Sequence, residues 1–172
     1  MQTVTLVIAI FGAVLGTASF TWQVTTFLLS GARTKTELLI GALGRGGIAT
    51  GPIDSMTPDN LTRLVEQGFT TPVIAVRARN IGRLPVTVTG ISLPSSLKGM
   101  SLSVPGGMVG PDLPHRLEVG DTETWAIDLE QVMHFLKAGR ETFEIDPALV
   151  QMWGQVDLGN GRQVRSAESF RP

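Results

Sequence analysis

The stretch that decides the fold is VIAVRARNIGRLPVTVTGISL, residues 73–93. Apolar and polar side chains alternate along it, which is typical of strands that bury one face. The segment from Asn80 to Arg83 separates two alternating runs and predicts a turn. In the second run the alternation changes phase at Gly90, which indicates a β-bulge. The stretch therefore predicts two strands joined by a turn, the second of them bulged.

The same alternation recurs at short spacing from Thr36 onward. It is clearest in residues 100–104, 117–129 and 150–164. In the last of these segments, Asn160-Gly161 predicts a hairpin with a two-residue type I′ turn. Most of the chain after the N-terminal segment is therefore expected to form short antiparallel strands.

Two short helices are expected to interrupt the strands. Thr57 predicts the N-cap of the first, with Pro58 at its first helical position and Gly68 at its end. Asp128 predicts the cap of the second, which is expected to end before Gly139. About seven to nine strands with such connections predict a mainly β fold, an immunoglobulin-like antiparallel β-sandwich. A β-barrel is the alternative.

Two segments have weaker patterns. Residues 41–57 contain many glycines and predict a long surface loop or tether. The segment ETFEID, residues 141–146, predicts a strand. On that strand Glu144 and Asp146 would share the solvent face. Phe143 and Ile145 would point inward.

The N-terminal segment, residues 1–32, contains no Asp, Glu, Lys or Arg, although the chain has 15 acidic and 14 basic residues. A helix from Val4 to Leu29 would be about 39 Å long, enough to cross a hydrocarbon core of roughly 30 Å with some tilt. A cleaved signal peptide is the alternative, but the opening MQTVT lacks the basic residues of a signal peptide. We expect a transmembrane helix over 1–32, a juxtamembrane strand, loop and short helix over 33–71, and the remainder of the sandwich over 72–172.

Small and polar residues recur along this helix at alternating spacings of four and three. They are Thr5, Ala9, Gly12, Gly16, Ser19, Gln23, Thr26 and Ser30. A 3.5-residue repeat keeps one narrow face against a neighbouring helix. Small residues allow close approach in lipid, and Gln and Thr can hydrogen-bond between helices. We therefore expect this helix-packing seam to contact another membrane helix, of a second copy or of a partner. A lone anchor whose Ser and Thr bond to its own backbone is the alternative.

Basic residues follow the span but do not precede it. Arg33 and Lys35 come directly after it, and Arg45 lies nearby. Basic flanks are retained on the cytoplasmic side of a membrane. The soluble domain is therefore expected in the cytoplasm.

Arginines are the main binding signal in the domain. Arg77, Arg79, Arg83, Arg162 and Arg165 alternate outward on strands or lie in turns. If their strands shared a sheet, the guanidinium groups would form a patch for anionic lipid headgroups or an acidic protein partner. No aromatic side chains interleave with them, so nucleic acid is not expected as a partner. A solvated sheet face that prevents aggregation is the alternative.

The composition excludes several kinds of site. The chain has no cysteine, which excludes disulfides, thiolate metal sites and cysteine nucleophiles. His115 lies near Asp112 and is expected at an exposed strand entrance, while His134 is expected on the solvent side of the second helix. No spacing supplies the further ligands that a metal would need. We expect no catalytic residues, no metal and no cofactor, and we expect that the protein is not an enzyme.

Two segments resemble a known group of proteins. VRARNIGRLPVTVTGISL, residues 76–93, and LPHRLEVGDTETW, residues 113–125, resemble small membrane-anchored, immunoglobulin-like proteins of high-GC Gram-positive bacteria and their phages. In that group, one N-terminal helix precedes a sandwich with a strand–Asn-x-Gly-Arg–strand unit. A Leu-Pro-x-x-Leu-x-x-Gly segment then leads into a strand bearing Trp. The resemblance implies fold and topology, and it implies no activity.

These expectations together favour a binding role. We expect a non-catalytic, membrane-anchored protein-interaction or scaffold module with membrane lipid and a membrane-protein partner or second copy as its contacts. The alternative is a structural subunit of a multi-subunit membrane or phage-encoded assembly. An enzyme with an unrecognised site is least favoured.

Overall fold

The computed structural model describes residues 2–29, 31, 33–55, 57–104 and 106–172, so Ser30 of the predicted seam lies outside the described residues. The helices are α1 (Gln2–Leu29), α2 (Pro58–Glu66) and α3 (Leu129–Phe143), with 3-10 turns at Ile53–Ser55 and Pro147–Leu149. The strands are β1 (Thr34–Gly44), β2 (Gly47–Pro52), β3 (Phe69–Asn80), β4 (Val86–Pro94), β5 (Ser101–Leu102), β6 (His115–Leu117), β7 (Thr122–Asp128), β8 (Met152–Leu158) and β9 (Gln163–Phe170).

The strands form two antiparallel sheets. The first has the order β2-β1-β3-β7, and the second has the order β5-β4-β8-β9, with β6 also paired to β4. The prediction of a mainly β, two-sheet antiparallel fold after one N-terminal apolar helix is confirmed. Because β1 pairs with β3 along its whole length, the segment directly after α1 belongs to the same sheet as the strand that decides the fold.

The inward faces of the two sheets meet in one core. Leu38, Ile74 and Trp125 line the first sheet and are almost completely buried. Val88 and Val156 lie in the same cluster on the second sheet. Burial of such side chains is the main stabilising contribution, at about 1.5–3 kcal/mol each. The alternation in the sequence therefore identified the faces that pack against each other.

The prediction of a loop over residues 41–57 is wrong for most of that segment. β1 continues to Gly44, and β2 returns beside it in register, with Gly41 opposite Thr50. A Cβ atom on Gly41 would overlap the main-chain carbonyl of Ala49. The glycine at position 41 is thus required by the close approach of two strands.

The second helix extends further than predicted. α3 begins after Asp128, whose carboxylate accepts a hydrogen bond from the Glu130 amide (2.8 Å), as expected. It then passes Gly139, where an added Cβ would lie 2.8 Å from the Leu97 side chain, and ends at Phe143. Gly139 is therefore a packing residue and does not end the helix.

The strand predicted over residues 141–146, all of which the structure describes, does not form. Glu144 is the left-handed C-cap of α3, with φ of 52°. Asp146 caps the following 3-10 turn by accepting from the Ala148 amide (2.9 Å). The two carboxylates therefore lie at the end of one helix and the start of the next turn, and do not share a strand face.

The turn details are partly as predicted. Thr57 caps α2 by accepting from the Asn60 amide, and the bulge lies between Val88 and Gly90. The hairpin of β8 and β9 forms, but its type I′ turn does not. Instead the Gly161 amide donates to the Leu158 carbonyl and only Gly161 in this turn has positive φ, which defines a three-residue loop.

Candidate functional site

α1 is the most exposed apolar element of the protein. Within it, Thr3–Thr26 is long and apolar enough to span a membrane by length and composition, and none of that window is buried against the domain. Phe11 and Trp22 illustrate this, at 66% and 73% exposed. A core helix of a soluble domain would instead be buried by its own protein.

The seam residues lie on one side of α1. Because the helix is continuous, the described members from Thr5 to Thr26 fall within an arc of about 100°. A Cβ atom added at Gly12 or Gly16 would meet nothing within 4 Å beyond the nearby backbone of its own helix, so a neighbouring helix could approach there. Among the described residues, the Gln23 side chain has no hydrogen-bond partner.

Small residues also occur on the opposite side of α1, where they line a shallow groove. Its lining includes Ala13, Thr17, Ala18 and Thr21. There the Thr17 hydroxyl donates to the Ala13 carbonyl and the Thr21 hydroxyl donates to the Thr17 carbonyl, both at 2.8 Å. These two threonines are satisfied within their own helix, as the lone-anchor alternative requires, but neither belongs to the seam.

The five arginines do not form one patch. Arg77 and Arg79 lie on β3 in the first sheet, whereas Arg165 lies on β9 in the second. The condition that their strands share a sheet is therefore not met. Arg83 and Arg162 are exposed in the β3–β4 and β8–β9 loops, respectively.

Two of these arginines have partners within the domain. Arg77 lies 3.8 Å from the Glu37 carboxylate and donates to the Thr50 and Thr124 hydroxyls. The Arg165 guanidinium lies 5.2 Å from the centre of the Trp153 ring, a cation–π contact. Both arginine side chains therefore contact other side chains of their own sheet on its outer face.

Glu37 has a second cationic neighbour. The Lys35 ammonium donates to its carboxylate at 2.8 Å. This hydrogen bond, with the positive charges of Lys35, Arg77 and Arg79, lowers the pKa of Glu37 despite some desolvation. The same hydrogen bond raises the pKa of Lys35. The outer face of β1 and β3 is therefore partly neutralised.

A cleft of about 440 Å³ lies between the β4 bulge and the loop before β6. Its lining includes Gly90, Met108, Asp112, Trp125 and Asp157. The loop is held in place because the Trp125 indole N–H donates to the Pro111 carbonyl at 2.9 Å. This cleft was not predicted from the sequence, in which the phase change at Gly90 was its one signal.

Neither histidine is one of the residues that line this cleft. The His115 ring packs edge-to-face against Trp125, with 6.1 Å between ring centres, and is half-buried, so its predicted exposure is wrong. His134 is exposed on α3 as predicted and lies 3.6 Å from Glu130. Within the described residues, no group of three His, Cys, Asp or Glu could hold a metal ion.

Comparison with known proteins does not assign the chain to a family. No protein-family model matches the chain, and a search of curated proteins finds no match.

Proposed function

We propose that this chain is a non-catalytic, single-pass membrane protein whose helix packs against another membrane helix and whose β-sandwich is presented in the cytoplasm as an interaction or scaffold module. The main support is that α1 is apolar along Thr3–Thr26 and exposed on every side. In water this surface would be strongly unfavourable, whereas a bilayer would bury it. The apolar run is also longer than the 7–15 residues of a signal-peptide core.

The strand order supports an immunoglobulin-like relation. β1, β3 and β7 have the order of strands A, B and E in that fold, and β4, β8 and β9 have the order of strands C, F and G. This order also fits the resemblance to membrane-anchored proteins of high-GC Gram-positive bacteria and their phages. Such sandwiches commonly present loops and sheet faces to partners, so a binding role is favoured over catalysis.

The seam supports helix packing. Lipid tails are as apolar as leucine, so close packing and interhelical hydrogen bonds drive helices together. Gly12 and Gly16 leave room for a neighbouring backbone, and the Gln23 amide can donate to it and accept from it. The cytoplasmic orientation is supported by Arg33 and Lys35 directly after the helix.

The experiment compares two small-to-large substitutions on opposite sides of α1. Gly16→Leu fills the seam, and Ala18→Leu, the matched control, fills the opposite groove. The full chain is extracted in mild detergent, and its association with copies or copurifying membrane proteins is measured by crosslinking and mass spectrometry. Gly16→Leu is expected to weaken association roughly tenfold, the equivalent of about 1.4 kcal/mol, and Ala18→Leu to leave it unchanged.

Two results would contradict the proposal. A wild-type chain that stays monomeric without any partner would remove helix packing. A loss of association in Ala18→Leu but not in Gly16→Leu would place the contact on the wrong side of α1. A fixed set of many copurifying subunits would favour the alternative role as a structural subunit of a larger assembly.

A further inference from the structure

One end of the sandwich lies beside the exit of α1. The Arg33 carbonyl accepts hydrogen bonds from the amides of Ile81 (2.8 Å) and Gly82 (3.0 Å). Only three residues separate Arg33 from the end of α1 at Leu29, and the four Cα–Cα steps between them reach at most about 14 Å. The β3–β4 loop is therefore held close to the point where the chain leaves the helix.

Two further loops lie at this same end. The Gly120 amide donates to the Asn80 carbonyl, and the Asn80 amide donates to the Asp121 carbonyl, so the β6–β7 loop borders the end of β3. The Gly159 amide donates to the Thr87 carbonyl at the start of β4, which places the β8–β9 loop there as well. We call Arg33 and the loops 81–85, 118–121 and 159–162 the proximal end.

The proximal end exposes large apolar side chains. Ile81, Leu84 and Val119 are 55%, 51% and 55% exposed. Among the side chains whose burial the structure describes, the other large apolar residues exposed outside α1 are Val65, Val109, Met133 and Leu149. Exposed apolar residues scattered singly are normal, but three on adjacent loops beside a membrane helix indicate an interaction surface.

Arginines accompany these apolar residues. Arg33, Arg83 and Arg162 are exposed at the proximal end, and none forms an ion pair within the described part of the chain. The two acidic residues there have hydrogen-bond partners within the domain. Glu118 pairs with Arg116 at 2.7 Å, and the Asp121 carboxylate accepts from the Glu118 amide at 2.9 Å.

We propose that the proximal end docks on the surface of the bilayer that holds α1. In this docked state Ile81, Leu84 and Val119 lie at the boundary between headgroups and acyl chains. Arg33, Arg83 and Arg162 bind the phosphates of anionic lipids. This inference rests on the proposed membrane anchoring. Apolar tips flanked by basic side chains bind such interfaces by burying apolar area and by attraction to anionic lipid. The short link from α1 keeps the surface within reach, so the sandwich stands upright on the membrane.

Because the chain has no cysteine, a single introduced cysteine can be labelled specifically, and the test uses this. The chain of residues 1–172 is placed at one copy per nanodisc, in phosphatidylcholine alone or with 30% phosphatidylglycerol. A nitroxide is attached through Val119→Cys or, as the control, through Leu149→Cys. Leu149 is 66% exposed and precedes β8, whose seven residues separate it from the proximal end by about 20 Å.

In anionic discs the label at position 119 is expected to lose collisions with a water-soluble nickel chelate and gain collisions with oxygen. The label at position 149 should remain in water. Changing Arg33, Arg83 and Arg162 together to Gln is expected to shift the docking equilibrium about 100-fold toward the undocked state, because each arginine near an anionic surface contributes roughly a factor of five.

Each contrary result is distinguishable. If the protein stays in the disc but both labels remain in water, docking is wrong and anchoring stands. If shielding at position 119 is equal in both lipids, or unchanged in the triple Arg→Gln variant, anionic lipid is not the occupant and the proposal is wrong. If the chain does not enter discs at all, the proposed membrane anchoring itself fails.

Discussion

Asn80 joins the β3–β4 loop of the proximal end to the segment from β6 into the β6–β7 loop, and its removal tests the packing of these two loops. It is completely buried. Its side-chain amide donates to the carbonyls of Leu84 (2.9 Å) and Leu117 (3.2 Å), and its side-chain oxygen accepts from the Gly82 amide (3.0 Å). Each such bond contributes about 1 kcal/mol to stability, so Asn80→Ala should lower the free energy of unfolding by about 3 kcal/mol.

A matched control is available in the second hairpin. Asn160 also accepts from the amide two residues on, that of Arg162 (3.1 Å), but it is exposed and makes no other hydrogen bond within the described residues. Asn160→Ala should cost at most about 1 kcal/mol. Asn80→Asp keeps the acceptor and loses both donors, so it should be destabilised at least as much as Asn80→Ala.

The assay is urea unfolding of the full chain in detergent micelles, followed by the fluorescence of buried Trp125 in variants with Trp22 and Trp153 changed to Phe. If wild type and variant have the same dependence of the unfolding free energy on urea concentration, the shift in the urea midpoint gives the difference in their free energies of unfolding. If Asn80→Ala fell within about 1 kcal/mol of Asn160→Ala, the reasoning that Asn80 organises the proximal loops would be refuted.

Two further predictions concern β1. Gly41→Ala should destabilise the domain by about 2 kcal/mol or more in the same unfolding assay, because its Cβ meets the Ala49 carbonyl. The control Gly46→Ala lies in open space and should change the free energy of unfolding by less than about 0.5 kcal/mol. Equal effects of the two substitutions would contradict the close approach of β2 to β1. Glu37→Gln should lose a small stabilisation. In the wild type this stabilisation is present at neutral pH and disappears as the pH falls through the lowered pKa of Glu37, so the unfolding curves of the two proteins should converge below that pKa. A difference that persists at still lower pH would show that Lys35 and Arg77 are not its cause.

Local patterns predicted local structure well. The alternation through Ile74 and Val76, the bulge at Gly90 and the cap at Thr57 depend on residues close in sequence, and the structure has all three. These features follow from side-chain direction and hydrogen bonding within a few residues. The same holds for the hairpin of β8 and β9, although not for its turn type.

Contacts between distant segments could not be predicted in this way. Gly139 resembles a helix end, but its role is set by Leu97, more than forty residues earlier. Likewise, alternation placed Arg77 and Arg165 outward without indicating that β3 and β9 belong to different sheets. The grouping of Ile81, Leu84 and Val119 at one end depends on the same long-range topology.

In the proposed arrangement, α1 lies within a bilayer and holds the sandwich at its cytoplasmic surface. The most direct test labels Val14→Cys or Leu149→Cys with a membrane-impermeant maleimide in intact cells and in inverted membrane vesicles, after alkaline carbonate washing. Val14→Cys should react in neither preparation until detergent is added, and Leu149→Cys should react in inverted vesicles alone. Release of the protein by carbonate, or labelling of Val14→Cys in intact membranes, would contradict the account.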